Sequence, residues 1–190
     1  MKVVVEPHNP AWFVEFSNVK ASLETILKDV PPLSIAHVGS TSIPGLPAKP
    51  ILDIDIIVTP ETLATTRQAL VQAGYIDYGE MNVPGRFAFR QPGFGQSDET
   101  LGESRGEMRR NTYVVLEGCV ALRNHLDIQR ILLSDKELRD EYGQVKMALA
   151  KKEWANIGEY VTSKNEILWK ILQRAGWSGE DLDEVKKANT

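Results

Sequence analysis

The residues best suited to chemistry lie close together in HVGSTSIPGLPAKPILDIDIIV, residues 37–58. Asp53 and Asp55 sit two apart in the apolar run ILDIDIIV. Side chains alternate faces along a strand, so the two carboxylates share one face and Ile54, Ile56 and Val58 share the other. Two carboxylates about 7 Å apart on one strand face repel each other when ionised, and a nearby cation relieves that repulsion. A hard divalent ion, Mg²⁺ or Mn²⁺, has the matching preference for oxygen; the alternative is a solvated edge strand. Gly39 and Ser40 precede the pair by a spacer of twelve residues. A glycine lets backbone N–H groups approach a phosphate and a serine adds a hydroxyl donor, although Gly-Ser alone also describes a plain turn. Together, the turn, the spacer and the acidic strand are a far more specific signal for a metal-and-phosphate site than either part alone.

Further residues could join that site. Lys49, just before the acidic strand, could pair with Asp53 or touch a phosphate. In GRFAFRQP, residues 85–92, Arg86 and Arg90 share parity with Ala88 while Phe87 and Phe89 face the other way. If the arginine face borders the two aspartates, it makes a basic pocket suited to phosphate or carboxylate; otherwise the arginines are solvated. His37 is a candidate for either a structural hydrogen bond or a substrate pocket. Tyr142 and Lys146 share a helix face, with packing as the competing role. Arg105, Arg109 and Arg110 read as loop residues or as a substrate clamp. Cys119 has no local base and reads as a small buried hydrophobe.

The elements that must position these residues follow from periodicity and punctuation. Asn9-Pro10 starts a helix, and Trp12, Phe16, Val19, Leu23 and Ile26 recur at helical spacing before Pro31-Pro32 stops it. Short strands are predicted at 3–5, 33–38, 51–58, 85–92 and 111–118, with an amphipathic helix opening at Thr59-Pro60 and closing near Gly74. Residues 96–110 predict a mobile loop. From residue 119 the pattern is helical, with capping signatures at Ser134/Glu137, Ser163/Glu166 and Ser178/Asp181, the last opening a polar, frayed helix. The fold class is α+β: a mixed β-sheet flanked by helices over residues 1–118, and a helical C-terminal third, residues 119–190, packed on that core.

Composition narrows the function. The chain has 190 residues, 42% of them hydrophobic and 25% charged, and a formal charge of −4. That balance suits a globular protein and argues against binding bulk nucleic acid, which needs a basic face. One cysteine excludes an internal disulfide. No apolar run approaches the roughly 20 residues of a membrane span, and residues 1–20 lack the pattern of a signal peptide, so the expected location is cytoplasmic.

The order Gly-Ser turn, spacer and Asp-x-Asp resembles the fingerprint of the nucleotidyltransferase superfamily that includes DNA polymerase beta. Residues 37–56 more narrowly resemble the signature of the GrpB family, which carries a nucleotidyltransferase-like fold. EPHNPAWFVEF (6–16), GRFAFRQP, RNTYVVLEG (110–118) and NHLDIQRILLSDKELRDEYGQVKMALAK (124–151) extend that resemblance over most of the chain. It implies that Asp53 and Asp55 are catalytic residues and hold Mg²⁺ (or Mn²⁺). Gly39, Ser40, Lys49, Arg86 and Arg90 would bind the phosphates of a nucleoside triphosphate. His37, Tyr113, Tyr142 and Lys146 would border a substrate pocket, and the acceptor would be a small molecule or a protein. The chain departs from the pattern twice. Gln129-Arg130 stands where the family's leucine-rich helix has an Arg-Asp pair, and residues 111–116 carry no third carboxylate. Glu117 lies at the end of that strand, and Glu103 and Glu107 lie in the loop. Three readings follow: a Mg²⁺-dependent nucleotidyltransferase, a non-catalytic nucleotide- or phosphate-binding module, and a helical interaction module.

Overall fold

A computed structural model describes residues 1–93 and 107–188. Its centre is a five-stranded mixed sheet. In chain order, helix α1 (Ala11–Ile26) leads to β1 (Ser34–Val38), a 3₁₀ turn (Ser40–Ser42) and β2 (Leu52–Val58). Helix α2 (Pro60–Gln72), β3 (Ile76–Gly79), β4 (Arg86–Arg90) and β5 (Arg110–Leu116) follow. The strand order is β1-β2-β5-β4-β3, with β2 and β5 parallel and the other pairs antiparallel. The chain then turns helical: α3 (Val120–Ser134), α4 (Lys136–Leu149), α5 (Ile157–Thr162), α6 (Asn165–Arg174) and α7 (Glu180–Ala188). Among the described residues no helix is long and apolar enough to cross a membrane.

Alternation along the strands separates a dry face from a chemical one. Leu52, Ile54, Ile56 and Val58 of β2 are fully buried, and they pack with Ile35, Phe89 and Val114 against Trp12, Leu23 and Leu27 of the α1 segment and Leu70 of α2. Burying large aliphatic side chains contributes roughly 1.5–3 kcal/mol each, so this face sets the register of the whole strand, and a one-residue slip would turn the aspartates into the apolar core. A second core joins the loop after the 3₁₀ turn to the helices: Ile43 and Leu46 pack with Ile131, Leu138, Tyr142 and Ile171. That packing brings α4 and α6 to the mouth of the Gly-Ser turn.

Several local expectations shift. Residues 3–5 form no strand. The flanking Lys2 and Glu6 make single bridges to Glu153 and Ala48, two separate segments that offer no continuous ladder. A four-residue edge strand, β3, lacks clear alternation in the sequence and was not anticipated. The cap of α4 is Asp135, whose Oδ1 accepts from the Leu138 N–H at 3.0 Å, because α3 runs on to Ser134 and that hydroxyl bonds back to the Arg130 carbonyl. Ser163 likewise donates to the Tyr160 carbonyl at 2.7 Å, and α6 starts after Lys164 without a side-chain cap. Helix α7 is docked rather than frayed: Leu182 and Val185 are buried on Trp177 and Leu172. Of the predicted loop 96–110, residues 96–106, with Glu103 and Arg105, lie outside the described residues. Arg110 belongs to β5, where its guanidinium donates to the Tyr75 hydroxyl at 2.9 Å.

Candidate functional site

The sheet register assembles the site. On β5, Asn111 lies beside Asp53 and Tyr113 beside Asp55. On β4, Arg90 lies beside Asn111, Ala88 beside Tyr113, and Arg86 beside Val115. Cross-strand neighbours share a face, so the two aspartates, Asn111, Tyr113 and both arginines occupy one face of three adjacent strands.

The Gly-Ser turn sits directly on the first aspartate. Gly39 has φ +68°, and a Cβ built there would fall 2.3 Å from Asp53 Oδ2. Only glycine combines that backbone with that approach. The turn is braced from within and from α3. Ser42 donates to the Gly39 carbonyl at 2.7 Å, and Gln129 Nε2 donates to Ser42 Oγ at 2.7 Å and to the His37 carbonyl at 2.9 Å. Gln129 thus works as a brace at the departure from the leucine-rich-helix pattern, while Arg130 pairs with Asp127 away from the site. Tyr142 of α4 lies beside Ser40.

The two aspartates have different surroundings. Asp55 is fully buried; its Oδ2 lies 2.7 Å from His125 Nδ1, and its Oδ1 is buried with no hydrogen-bond partner. Burial pulls the His125 pKa down, but the Asp55 carboxylate outweighs it and holds the imidazole above its ordinary value. Asp53 Oδ1 accepts from Asn111 Nδ2 at 2.8 Å. Burial pushes the Asp53 pKa up, and Asp55 adds to the rise, against the Asn111 amide, His125 and Lys49.

Around Asp53 stand three lysines. Lys146 is 2% exposed; its Nζ lies 4.4 Å from the Tyr142 ring and has no hydrogen-bond partner. Burial first, then the charge of Lys164, hold it well below the ordinary lysine pKa, with Asp53 opposing. Burial and Lys49 likewise bring Lys164 down to about 8. Lys49 is lowered by burial and by Arg109, again against Asp53. Lys49 and Lys164 both approach the Tyr160 ring, at 5.8 and 4.8 Å. Buried cations crowded around one carboxylate favour the arrival of an anion.

The structure therefore brings together Gly39, Ser40, Lys49, Asp53, Asp55, Tyr113, Tyr142 and Lys146. Arg86 joins them through its guanidinium, 4.6 Å from the Tyr113 ring, and Arg90 shares the face. His37 is placed elsewhere. It pairs with Ile54 on the dry face of the sheet, stacks on Phe16 at 4.7 Å and bonds Thr41 at 2.9 Å; burial and His8 lower its pKa to about 4. His125, Asn111, Lys164 and Gln129 were not singled out from sequence as site residues. The 3-4-3 spacing of Leu122, His125, Gln129 and Leu132 on α3 is the signal that places the two polar side chains on its sheet-facing side.

Among the described residues, no cluster of three or more His, Cys, Asp and Glu side chains is placed to hold a metal ion. The carboxylate pair with its orphaned Asp55 Oδ1 suits one hard divalent ion completed by water and substrate oxygens. It does not suit two ions sharing a third carboxylate, because Asn111 and Tyr113 fill the facing positions of β5.

The family model described as GrpB protein matches residues 2–174. The chain belongs to the GrpB family. A glutamate-rich protein GrpB from Alkalihalophilus pseudofirmus is 34% identical over 175 residues, covering 90% of this chain and 94% of that protein. A UPF0157 protein from Halalkalibacterium halodurans is 29% identical over 181 residues, covering 90% and 86%. The crystal structure of conserved protein GrpB from Enterococcus faecalis matches with TM-score 0.74 and 26% identity, over 90% of this chain and 96% of that one. The GrpB fold is nucleotidyltransferase-like. Cid1, solved in complex with its short product ApU, matches with TM-score 0.54 at 15% identity, over 86% of this chain and 48% of Cid1. At that identity the likeness is one of fold.

Proposed function

We propose that this GrpB chain binds a nucleoside triphosphate with Mg²⁺ at the Gly39–Ser40 turn and transfers its nucleotidyl group to a hydroxyl acceptor. The observation that carries this reading is Lys146, a nearly buried amine with no hydrogen-bond acceptor, held over the ring of Tyr142, the tyrosine beside Ser40. An unpartnered cationic group in such a place is costly unless an anion completes it. Phosphate oxygens are the anions that a Gly-Ser turn receives.

In this reading the backbone N–H groups of the turn and the Ser40 hydroxyl donate to the terminal phosphates, and Lys49, Lys146 and Lys164 neutralise them. Asp53 and the unpartnered oxygen of Asp55 would hold the ion, Mg²⁺ or Mn²⁺. When bound, it supplies charge neutralisation on the phosphate oxygens. Arg86 and Arg90 add positive charge on the same face. The acceptor oxygen bonds to the α-phosphorus, the bond from that phosphorus to the bridging oxygen breaks, and pyrophosphate leaves with the electron pair. The hydroxyl proton passes to solvent. Positioning and electrostatics dominate this chemistry. The formal charge of −4 favours a small-molecule or protein acceptor over bulk nucleic acid.

The test is calorimetric titration of ATP, GTP, CTP and UTP with and without Mg²⁺, on wild type, Asp53→Asn and Lys146→Ala. Mg²⁺-dependent binding that both variants lose is the expected result. Absence of binding by wild type to all four nucleotides overturns the reading. Asn111 beside Asp53, where a carboxylate would complete a two-ion site, favours a second reading, a nucleotide-binding module that transfers nothing. Mg²⁺-nucleotide binding without pyrophosphate release across a broad panel of hydroxyl acceptors would select it.

A further inference from the structure

The face that holds the aspartates has a second cationic place, separate from the lysines. The Arg86 guanidinium lies 4.6 Å from the Tyr113 ring, and its Nε is buried with no hydrogen-bond partner. Among the described residues no carboxylate pairs with Arg86. The nearest acid by register, Asp55, is already engaged by His125 at 2.7 Å. Arg86 and Tyr113 are both partly open to solvent, so a ligand can reach them.

The sheet sets the distance between the two places. Arg86 lies four residues along β4 from Arg90, which shares a row with Asn111 and Asp53. Four residues of strand span about 13 Å, and the Arg86 side chain shortens that gap by reaching back over Tyr113. The lysines, from α4, the start of α6 and the lead into β2, crowd the Asp53 end. Arg86 serves the Asp55–Tyr113 end. The two cationic places thus lie on one sheet face, on the order of 10 Å apart by strand geometry.

We propose that Arg86, backed by the Tyr113 ring, binds the anionic group, phosphate or carboxylate, of a small-molecule acceptor. The role as acceptor rests on the nucleotide reading above, whereas the anion site stands on its own geometry. A guanidinium with an open edge takes either oxyanion in a planar fork. The aromatic face backs the guanidinium through a cation–π contact.

The experiment uses the full chain with ¹⁵N-labelled arginine. The Arg86 Nε–Hε signal, assigned from its loss in Arg86→Lys, is followed while inorganic phosphate or, separately, acetate is added through the millimolar range. The expected result is a saturable shift. It persists in Lys146→Ala, and its affinity falls about threefold in Tyr113→Leu, with thermal melting used to confirm that each variant is folded. The tighter of the two anions identifies the group. No shift with either anion overturns the site. A shift that vanishes in Lys146→Ala but is untouched by Tyr113→Leu also overturns it, because Arg86 would then answer to the nucleotide site. If the Arg86 shift appears while Mg²⁺-nucleotide binding fails, the anion site stands and the nucleotide reading falls.

Discussion

Asp55 and His125, seventy residues apart, meet in the interior: Oδ2 lies 2.7 Å from Nδ1. The pairing divides the two aspartates. Asp55 is anchored on one oxygen by a helix that packs on the sheet, while Asp53 faces the turn and the lysines. The site thereby gains rigidity at its base, while Asp53 stays at the turn.

Removing the imidazole strands a buried carboxylate. His125→Ala should cost about 3–5 kcal/mol of stability, and adding Asp55→Asn to that variant should recover part of the loss. Urea unfolding of the two variants checks this; equal stability of His125→Ala and wild type would refute the anchoring role.

Lys146 sets stability against binding. Its amine is 2% exposed and unpartnered, so Lys146→Met, which keeps the length and drops the polar group, should stabilise the fold by about 1–2 kcal/mol while abolishing phosphate binding. A raised melting temperature together with lost ATP affinity is the expected pair of results.

Lys164 should make the proposed nucleotide binding proton-linked. Its pKa is lowered from 10.5 to about 8 in the free fold. The unfolded chain therefore holds more protons than the folded one between those values, and stability from this group rises with pH across that window. A bound phosphate favours the ammonium and raises the pKa again. Nucleotide binding just above pH 8 should then take up a proton, read as a dependence of calorimetric enthalpy on the ionisation enthalpy of the buffer. Lys164→Met should reduce that uptake.

Gly39 tolerates no side chain. Gly39→Ala places a Cβ against Asp53 in a left-handed backbone, and should cost about 2–4 kcal/mol and remove nucleotide binding. Gly79 also has positive φ, but a Cβ there meets nothing within 4 Å. Gly79→Ala is the control: backbone strain alone, with binding retained.

Much of this was legible in the chain. The period-2 alternation of ILDIDIIV placed both aspartates on the face opposite Ile54 and Ile56, and the parity of Arg86 and Arg90 put both arginines on one face. The family resemblance pointed to the fold. Less legible were the caps of α4 and α6. Asp135 competed with Ser134 as the cap of α4, and a hydroxyl in the last turn of a helix bonds backward as readily as forward. His37 was also misleading, because its place beside the Gly-Ser turn says nothing of which sheet face it occupies until its strand is paired with Ile54.

The sequence by itself determined what local geometry enforces: which side chains share a strand face, where a Gly-Ser turn precedes the acidic strand, and which chemistry two carboxylates and a serine can support. Only the tertiary structure decided their partners. The β2–β5 register put Asn111 rather than an acid beside Asp53, α3 delivered His125 to Asp55, and α4 and α6 converged their lysines on the turn. Those contacts join residues from about 60 to 125 positions apart, brought together by burial of the cores on either side of the sheet, a driving force that is non-directional and leaves no local spacing to read.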